Sequence, residues 1–439
     1  DALGARGFGV TCVAVTSLKD PGAAAELGPM LDEFAPDVIL NTTSFSGRED
    51  GGACVLDRAD APVLQAILST TRRAQWEASG RGLGAVDLAM NVALPELDGR
   101  LITRAISFKT QDDVAENYAR VIHQPEPGRI DFVADLARAW AHLRRQKPAH
   151  RRIACILSDY PHRGGQAGYA VGLDSPASVA AIAQALQAQG YDVGDVDASG
   201  LMRRLTEDAP SAALSSADYA RLFSRLPQAF REAVVGAWGA PSQGAFRFRV
   251  VKAGNLIIAL QPLRGGGDVK GDYHNANLPP SHAYCAFYLW LRERHGFDAM
   301  IHCGTHGTLE WLPGKAAALS EHCAPEVLLG PAPLIYPFIV NNPGEAAQAK
   351  RRLCALTLGH LTPPLTAAES HGAAIEIEAL LDEYASAQSL DPARALRISR
   401  AIVERAAETG VMRDAGIASS DPDEILGRLD AWLCDLKDM

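Results

Sequence analysis

The stretch His302-Cys-Gly-Thr-His-Gly-Thr-Leu-Glu-Trp-Leu-Pro-Gly-Lys315 follows a short apolar run, Ala299 to Ile301. An apolar run that stops at Gly304 and Gly307 reads as a buried strand breaking into a loop. The break places His302, His306 and Glu310 at successive four-residue intervals. A loop at a strand end is where α/β folds put ligand-binding groups, because its backbone is free to approach a substrate. Two imidazoles and a carboxylate suit a borderline divalent ion such as Co²⁺ or Zn²⁺, with His302, His306 and Glu310 as ligands. The competing reading is that they are loop polars satisfied by ordinary hydrogen bonds.

Outward from this stretch, short apolar runs alternate with helical patterns. Upstream, Val10–Val15, Asp37–Leu40, Leu88–Leu94 and Leu101–Phe108 read as strands, and residues 126–147 as an amphipathic helix with Ile130, Val133, Leu136, Trp140 and Leu143 on one stripe. Ile153–Leu157 opens a second unit; a glycine loop over 162–172 leads to a helix capped by Ser175 with Pro176 at its first position. Phe246–Val251 and Asn255–Leu260 resemble a hairpin, and 264–270 a basic, glycine-rich loop. His282–His295 reads as a helix whose stripe of Tyr284, Phe287, Tyr288 and Leu291 belongs in a core. After Leu334–Val340, Asn342, Pro343 and Glu345 look like the start of another helix. The expected class is therefore multidomain α/β: parallel sheets flanked by helices, in Rossmann-like or flavodoxin-like units, with a helical C-terminal region. The expected division is 1–147 (α/β), 148–245 (a second α/β unit with a helical insertion), 246–362 (the α/β region with the His-rich motif) and 363–439 (helical).

The 439 residues carry a formal charge of −10, which argues against a nucleic-acid partner and means that an anionic substrate needs a local basic patch. Eight cysteines without a Cys-x-x-Cys pair favour a reducing compartment, so a cytoplasmic location is expected. No apolar run approaches the roughly 18 residues of a membrane span, and no signal peptide is read. Pro313-Gly-Lys315 invites comparison with a phosphate-binding loop, but Leu309 stands where that loop needs its first glycine and Ala316 where it needs Ser or Thr. The His-Glu-x-x-His pattern common in zinc hydrolases is also absent.

The stretch from His302 to Lys315, with Leu319-Ser320 and Cys323 beyond it, resembles the signature of the tetrapyrrole metal chelatase large subunits. Tyr336-Pro-Phe-Ile-Val-Asn-Asn-Pro-Gly-Glu-Ala-Ala-Gln-Ala-Lys-Arg-Arg352 resembles a second block of that family, and Gln261-Pro-Leu-Arg-Gly-Gly with Pro280-Ser-His-Ala-Tyr-Cys-Ala-Phe-Tyr288 a third. The family joins the aerobic cobaltochelatase large subunit (CobN type) and the magnesium chelatase H-type protein. Leu309-Glu-Trp-Leu-Pro-Gly-Lys315 is closer to the cobalt branch, whereas Thr305 departs from the Lys of many cobalt enzymes. Family members are far longer, so the resemblance implies a fragment or one part of a split subunit. It implies a metal chelatase inserting Co²⁺ into hydrogenobyrinic acid a,c-diamide in cobalamin biosynthesis, with ATP hydrolysed by AAA+ partner subunits. The alternatives are a magnesium chelatase H-type protein acting on protoporphyrin IX and a non-catalytic tetrapyrrole-binding module. In that setting Glu310 and His306 are the catalytic candidates, and Arg264, His282, Trp311, Lys315, Arg351 and Arg352 the substrate-binding ones, with Lys270 a further basic group for the rim.

Because the phosphate-loop pattern fails, the purified chain is expected to release no phosphate from ATP and Mg²⁺ above background. Hydrolysis that co-purifies with the chain would reveal a nucleotide site of another kind.

Overall fold

Two largely parallel sheets, each bordered at one edge by an antiparallel strand, organise the larger of two compact units. The computed structural model describes residues 1–48, 52–115, 118–158, 168, 173–265, 275–304, 308–361, 373–390 and 392–438. The units are Asp1–Thr362 and Pro363–Met439. In the first sheet β1 (Ile39–Asn41), β2 (Val63–Ser69) and β3 (Leu101–Ala115) run parallel, and β4 (Tyr118–Pro125) returns antiparallel to β3. Leu136, Ala137 and Trp140 of the helix Pro127–Arg145 pack on Leu64 and Leu101, so the predicted stripe is the buried one.

The second sheet contains β5 (Ile153–Leu157), β8 (Val250–Ala253), β9 (Leu256–Leu260), β10 (Ala299–Cys303), β11 (Leu334–Ile339) and β12 (Leu356–His360), in the spatial order β12-β11-β10-β5-β9-β8. A small antiparallel pair, β6 (Ala212–Leu214) and β7 (Phe246–Phe248), lies between β5 and β8 in the chain. Only β8 runs against its neighbour; counted along the chain, the five parallel strands stand in the flavodoxin-like order 2-1-3-4-5. The order reverses between β5 and β10, and in open α/β sheets ligands bind beyond the carboxyl ends of the strands at such a point. The stretches 148–245 and 246–362 share this sheet, since β5 comes from the first and its neighbours β9 and β10 from the second.

Strand alternation gives the sheet two faces. Ile156, Ile257, Met300 and Tyr336 face a core with the helices His282–Trp290, Ala324–Leu329 and Pro343–Leu353. Cys155, Ile258 and Cys303 face the helix Ser175–Ala188. The second unit is helical, with Ala373–Leu390, Pro392–Glu408 and Pro422–Asp438 around Ile377, Ile402 and Leu429.

Several local expectations are corrected. Val10–Val15 forms no strand; Val10 and Val13 are 50% and 47% exposed, and β-branched residues without a sheet neighbour gain nothing from their propensity. Leu88–Leu94 is helical within the successive segments Ala85–Leu88, Ala89–Ala93 and Leu94–Leu97. There Leu88 and Val92 pack on the core around Ile67 and Trp76 while their neighbours Asp87 and Asn91 are buried too, adjacent pairs that one helix face can bury and strand alternation would split between two faces. The helix after β5 is capped by Asp174, whose carboxylate accepts from the Ala177 amide at 2.9 Å, so Ser175 lies one position inside. Asn342 does precede the helix Pro343–Leu353, but it donates its amide to Glu345 Oε1 at 3.0 Å instead of accepting a backbone bond. Of the predicted hairpin only Val250–Ala253 pairs with β9; Phe246–Phe248 pairs with β6.

A buried ion triad joins the sheets. Arg104 on β3 donates Nε to Glu326 at 2.6 Å, and Arg129 from the helix Pro127–Arg145 engages the other oxygen of that carboxylate. Arg104 also lies over the Phe132 ring at 4.6 Å. Glu326→Ala leaves Arg104 buried with no carboxylate partner and Arg129 with only the half-exposed Glu321 at 3.1 Å, so a loss of about 3–5 kcal/mol is expected, read as a lower urea midpoint for the first unit. A change under about 1 kcal/mol would mean that water or rearrangement compensates the triad.

Candidate functional site

β10 carries His302 to the reversal point. Its last bond turns at Gly304, with φ +140° and a Cβ position that would come within 3.1 Å of Ser158 Oγ. Ser158 follows β5, so a side chain at 304 would part the two strand ends that form the crevice. The register pairs His302 with Ile156 and Cys303 with Leu157.

His302 is fully buried and its ring stacks on Tyr336, with centroids 6.0 Å apart and planes 15° from parallel. The Tyr336 hydroxyl donates to Glu310 Oε1 at 2.6 Å. Glu310 is also fully buried, in the short helix Leu309–Trp311. The stretch read from sequence thus brings both His302 and Glu310 against one tyrosine, the first on its ring face and the second at its hydroxyl.

A closed hydrogen-bond ring lies beside the imidazole. Gln261, one residue past β9, donates Nε2–H to the Tyr284 hydroxyl at 2.9 Å. Thr308 donates to Gln261 Oε1 at 3.0 Å, so its oxygen accepts from Tyr284, 2.8 Å away. The same amide nitrogen lies 2.5 Å from the Tyr288 hydroxyl and 3.2 Å from His302 Nε2. That nitrogen carries two hydrogens, and the nearer hydroxyls of Tyr284 and Tyr288 take both, so the 3.2 Å contact does not fix which ring nitrogen of His302 carries the proton.

Two polar atoms, His302 Nδ1 and Glu310 Oε2, are buried here without a partner among the described residues. Burial pushes the His302 imidazole down to about 4, so it is neutral near pH 7. Burial pushes the Glu310 carboxyl up to about 7, against the opposing effect of the Tyr336 hydrogen bond. A neutral imidazole and a carboxyl poised near neutrality suit proton transfer and contact with a divalent ion. Among the described residues no group of three or more His, Cys, Asp or Glu side chains is placed to hold a metal. His306, the remaining member of the predicted ligand set, lies outside the described residues, as do Lys270 and most of the 162–172 loop.

The other candidates take different places. Arg352 is buried and turned into the motif: Nε donates to Lys315 O at 2.9 Å, Nη2 to Leu312 O at 2.6 Å and Nη1 to Glu310 O. Lys315 donates Nζ to the carbonyls of Trp76, Glu77 and Ser79 at 2.6, 2.9 and 2.9 Å, closing the carboxyl end of the helix Arg73–Ala78. Arg351 makes a two-bonded pair with Glu96 at 2.9 and 2.8 Å. Arg264 is buried and donates to the carbonyls of Asn275 and Leu278. His282 lies 2.7 Å from the Tyr219 hydroxyl and 3.0 Å from Gly239 O. Trp311, next to Glu310, is 38% exposed.

Sequence reasoning assigned no role to Tyr336, Gln261, Thr308 or the hydroxyls of Tyr284 and Tyr288. Two signals were available: a polar residue directly after a buried strand, and tyrosines four apart inside an otherwise apolar helix.

Comparison with known proteins bears on this geometry. The aerobic cobaltochelatase subunit CobN of Sinorhizobium sp. is 47% identical over the whole chain, and that of Pseudomonas aeruginosa 43%. The H-type protein of the magnesium chelatase of Rhodobacter capsulatus is 32% identical over 89% of the chain. The chain spans only 36%, 37% and 36% of these three relatives. The solved structure of the catalytic subunit of cobaltochelatase from Mycobacterium tuberculosis superposes on 96% of the chain with a TM-score of 0.70 and 36% identity, and the chain covers 38% of it. With the CobN/magnesium chelatase family model matching residues 1–439, the chain belongs to that family.

Proposed function

We propose that this chain supplies the proton-accepting site of an ATP-dependent cobaltochelatase large subunit, inserting Co²⁺ into hydrogenobyrinic acid a,c-diamide. The observation that carries the reading is the buried Glu310 carboxyl, held at one oxygen by Tyr336 and open at the other, beside the neutral His302. The cobalt branch is favoured over the magnesium branch by identities of 47% and 43% against 32%.

Insertion requires the macrocycle to lose its inner N–H protons while the incoming ion sheds water. Glu310, ionised through Oε2, accepts a ring proton; its pKa near 7 lets it take that proton and later release it. His302, with His306, offers imidazole to the substrate ion, and the low pKa of His302 keeps it from competing as a cation. With the Gln261 amide turned so that its oxygen faces His302 Nε2, the ring proton sits on Nε2 and the Nδ1 lone pair is open to metal. Trp311 offers a partly exposed aromatic surface to a planar ring. Arg352 and Lys315 shape the Glu310 segment, and Lys270 is the basic group assigned to the carboxylate rim. ATP is hydrolysed by AAA+ partner subunits.

Glu310→Gln in the full-length protein, assayed for insertion with its ATPase partners, is expected to lower turnover by roughly 10²-fold or more while tetrapyrrole affinity stays within a fewfold. Near-normal turnover would remove Glu310 from the mechanism.

The pH dependence follows from the raised pKa. The base must be ionised, so insertion should climb as pH rises through about 7 and fall below it. Tyr336→Phe removes the hydrogen bond that favours the carboxylate, so the climb should move to higher pH. A profile identical in wild type and Tyr336→Phe would show that another group sets it.

A further inference from the structure

The face of the six-stranded sheet opposite His302 and Tyr336 carries a cavity that the proposed reaction does not use. Ile301 and Cys303 alternate with His302 along β10, and Ile335 and Pro337 flank Tyr336 on β11, so these side chains point to the opposite side. They form the floor of a cavity of about 560 Å³, walled by Ile182 and Leu186 of the helix Ser175–Ala188. Sites for small molecules typically enclose roughly 300–1,000 Å³ with mostly apolar walls. Beside β10 the cavity face is covered, among the described residues, by the helix Ser175–Ala188, whose Val179 and Ala183 share a core with Cys303.

Charge narrows the class of occupant. The chain has 52 acidic against 42 basic residues, yet among the described residues no Asp or Glu lines the cavity, whereas Arg151 and His360 do. Lys147 and His150 are exposed beside the lining residues Pro148 and Arg151. The Arg151 guanidinium is fixed in place: Nη1 donates to Tyr191 OH at 2.6 Å, Nε to Gln146 O at 2.9 Å and Nη2 to Arg144 O at 3.2 Å, and the group lies 5.3 Å from the Tyr191 ring centroid. Each terminal nitrogen keeps a second N–H, so a preset cation with two donors stands at the edge of an apolar space.

We propose that this cavity binds a small amphipathic anion, an apolar body ending in one carboxylate or sulfonate, with the charged end at Arg151. The body lies on Ile301, Cys303 and Ile335 between the sheet and the helix Ser175–Ala188. Such a ligand rests against the reverse side of the strands that hold His302 and Tyr336, without entering their site.

The test uses the full-length protein and the fluorescent sulfonate 8-anilinonaphthalene-1-sulfonate, displaced by decanoate or by decanol. Decanoate should displace the probe at least about tenfold better than decanol, the margin of a charge-assisted bond over a neutral one. Ala185→Trp, which grows into the cavity from an exposed helix position, should weaken the probe and decanoate at least about tenfold with unchanged circular dichroism. Arg151→Gln should weaken decanoate about fivefold or more and leave decanol unchanged, which loss of fold would not do. Decanoate should also slow alkylation of Cys303 by N-ethylmaleimide, read by mass spectrometry. Equal displacement by acid and alcohol, unchanged binding in Ala185→Trp, or no probe binding because other polypeptide fills the cavity in the full-length protein would each overturn the assignment.

Discussion

Six backbone carbonyls held by two cations fix the shape of the segment that presents Glu310. Arg352 takes those of Glu310, Leu312 and Lys315, and Lys315 takes those of Trp76, Glu77 and Ser79. Pro313 and Gly314 interrupt regular structure around Leu312 and Lys315, so no helix or sheet satisfies the carbonyls Arg352 holds there, and a buried carbonyl left alone costs about as much as a lost hydrogen bond. A guanidinium with donors in a planar fork can meet three carbonyls at once; an ammonium on a flexible stem closes a helix end. Neither residue can serve both this purpose and a substrate carboxylate without releasing the loop. Gly314 belongs to the same constraint: at φ +149° its missing Cβ leaves room for Cys323, where a side chain would come within 2.7 Å.

That constraint explains why the first sheet matters to a site on the second. Lys315 reaches the carboxyl end of a helix in the first sheet's layer, Trp76 donates its indole N–H to Ala318 O at 2.7 Å, and Arg351 pairs with Glu96. The Arg104–Glu326–Arg129 triad runs beside these contacts. A buried triad is poor evidence of net stability, since apolar replacements often do as well. Its geometric consequence is firmer: charges buried on both sides of an interface leave few alternative registers, because any slip strands a charge.

How much of this the sequence disclosed depends on the range of the forces involved. The parallel α/β class, the central β10, the helix Pro127–Arg145 and the helical 373–438 region follow from apolar periodicity, a local property. Val10–Val15 and Leu88–Leu94 misled because short apolar runs suit either state until a partner surface chooses, and the surface around Ile67 and Trp76 chose helix for the second. The pairing of His302 with Glu310 was legible through the motif, but Tyr336 between them was not: it comes from β11, 26 residues beyond Glu310, and only the sheet order makes them neighbours. For Arg352 and Lys315 a count of positive charges points toward an anionic rim. The structure turns both inward: Arg352 onto the carbonyls of Glu310, Leu312 and Lys315, and Lys315 onto those that end the helix Arg73–Ala78.

His302 Nδ1 and Glu310 Oε2, buried without a partner among the described residues, stand out beside the bonded Tyr336, Gln261, Thr308 and Tyr284. Gln261, Thr308 and Tyr284 close a ring of three hydrogen bonds, so the network had the means to satisfy a histidine fully and engages only one edge. Buried unpartnered polar atoms are costly, and folded proteins keep few of them. Their cost here is consistent with what a transient guest requires: a proton or an ion must find a free lone pair, and it must also be able to leave. Were Oε2 and Nδ1 bonded to fixed protein donors and acceptors, the guest would have to break those bonds on entry. Leaving them open keeps the barrier low in both directions, which a site that hands its ion to another molecule needs and a structural metal cage does not.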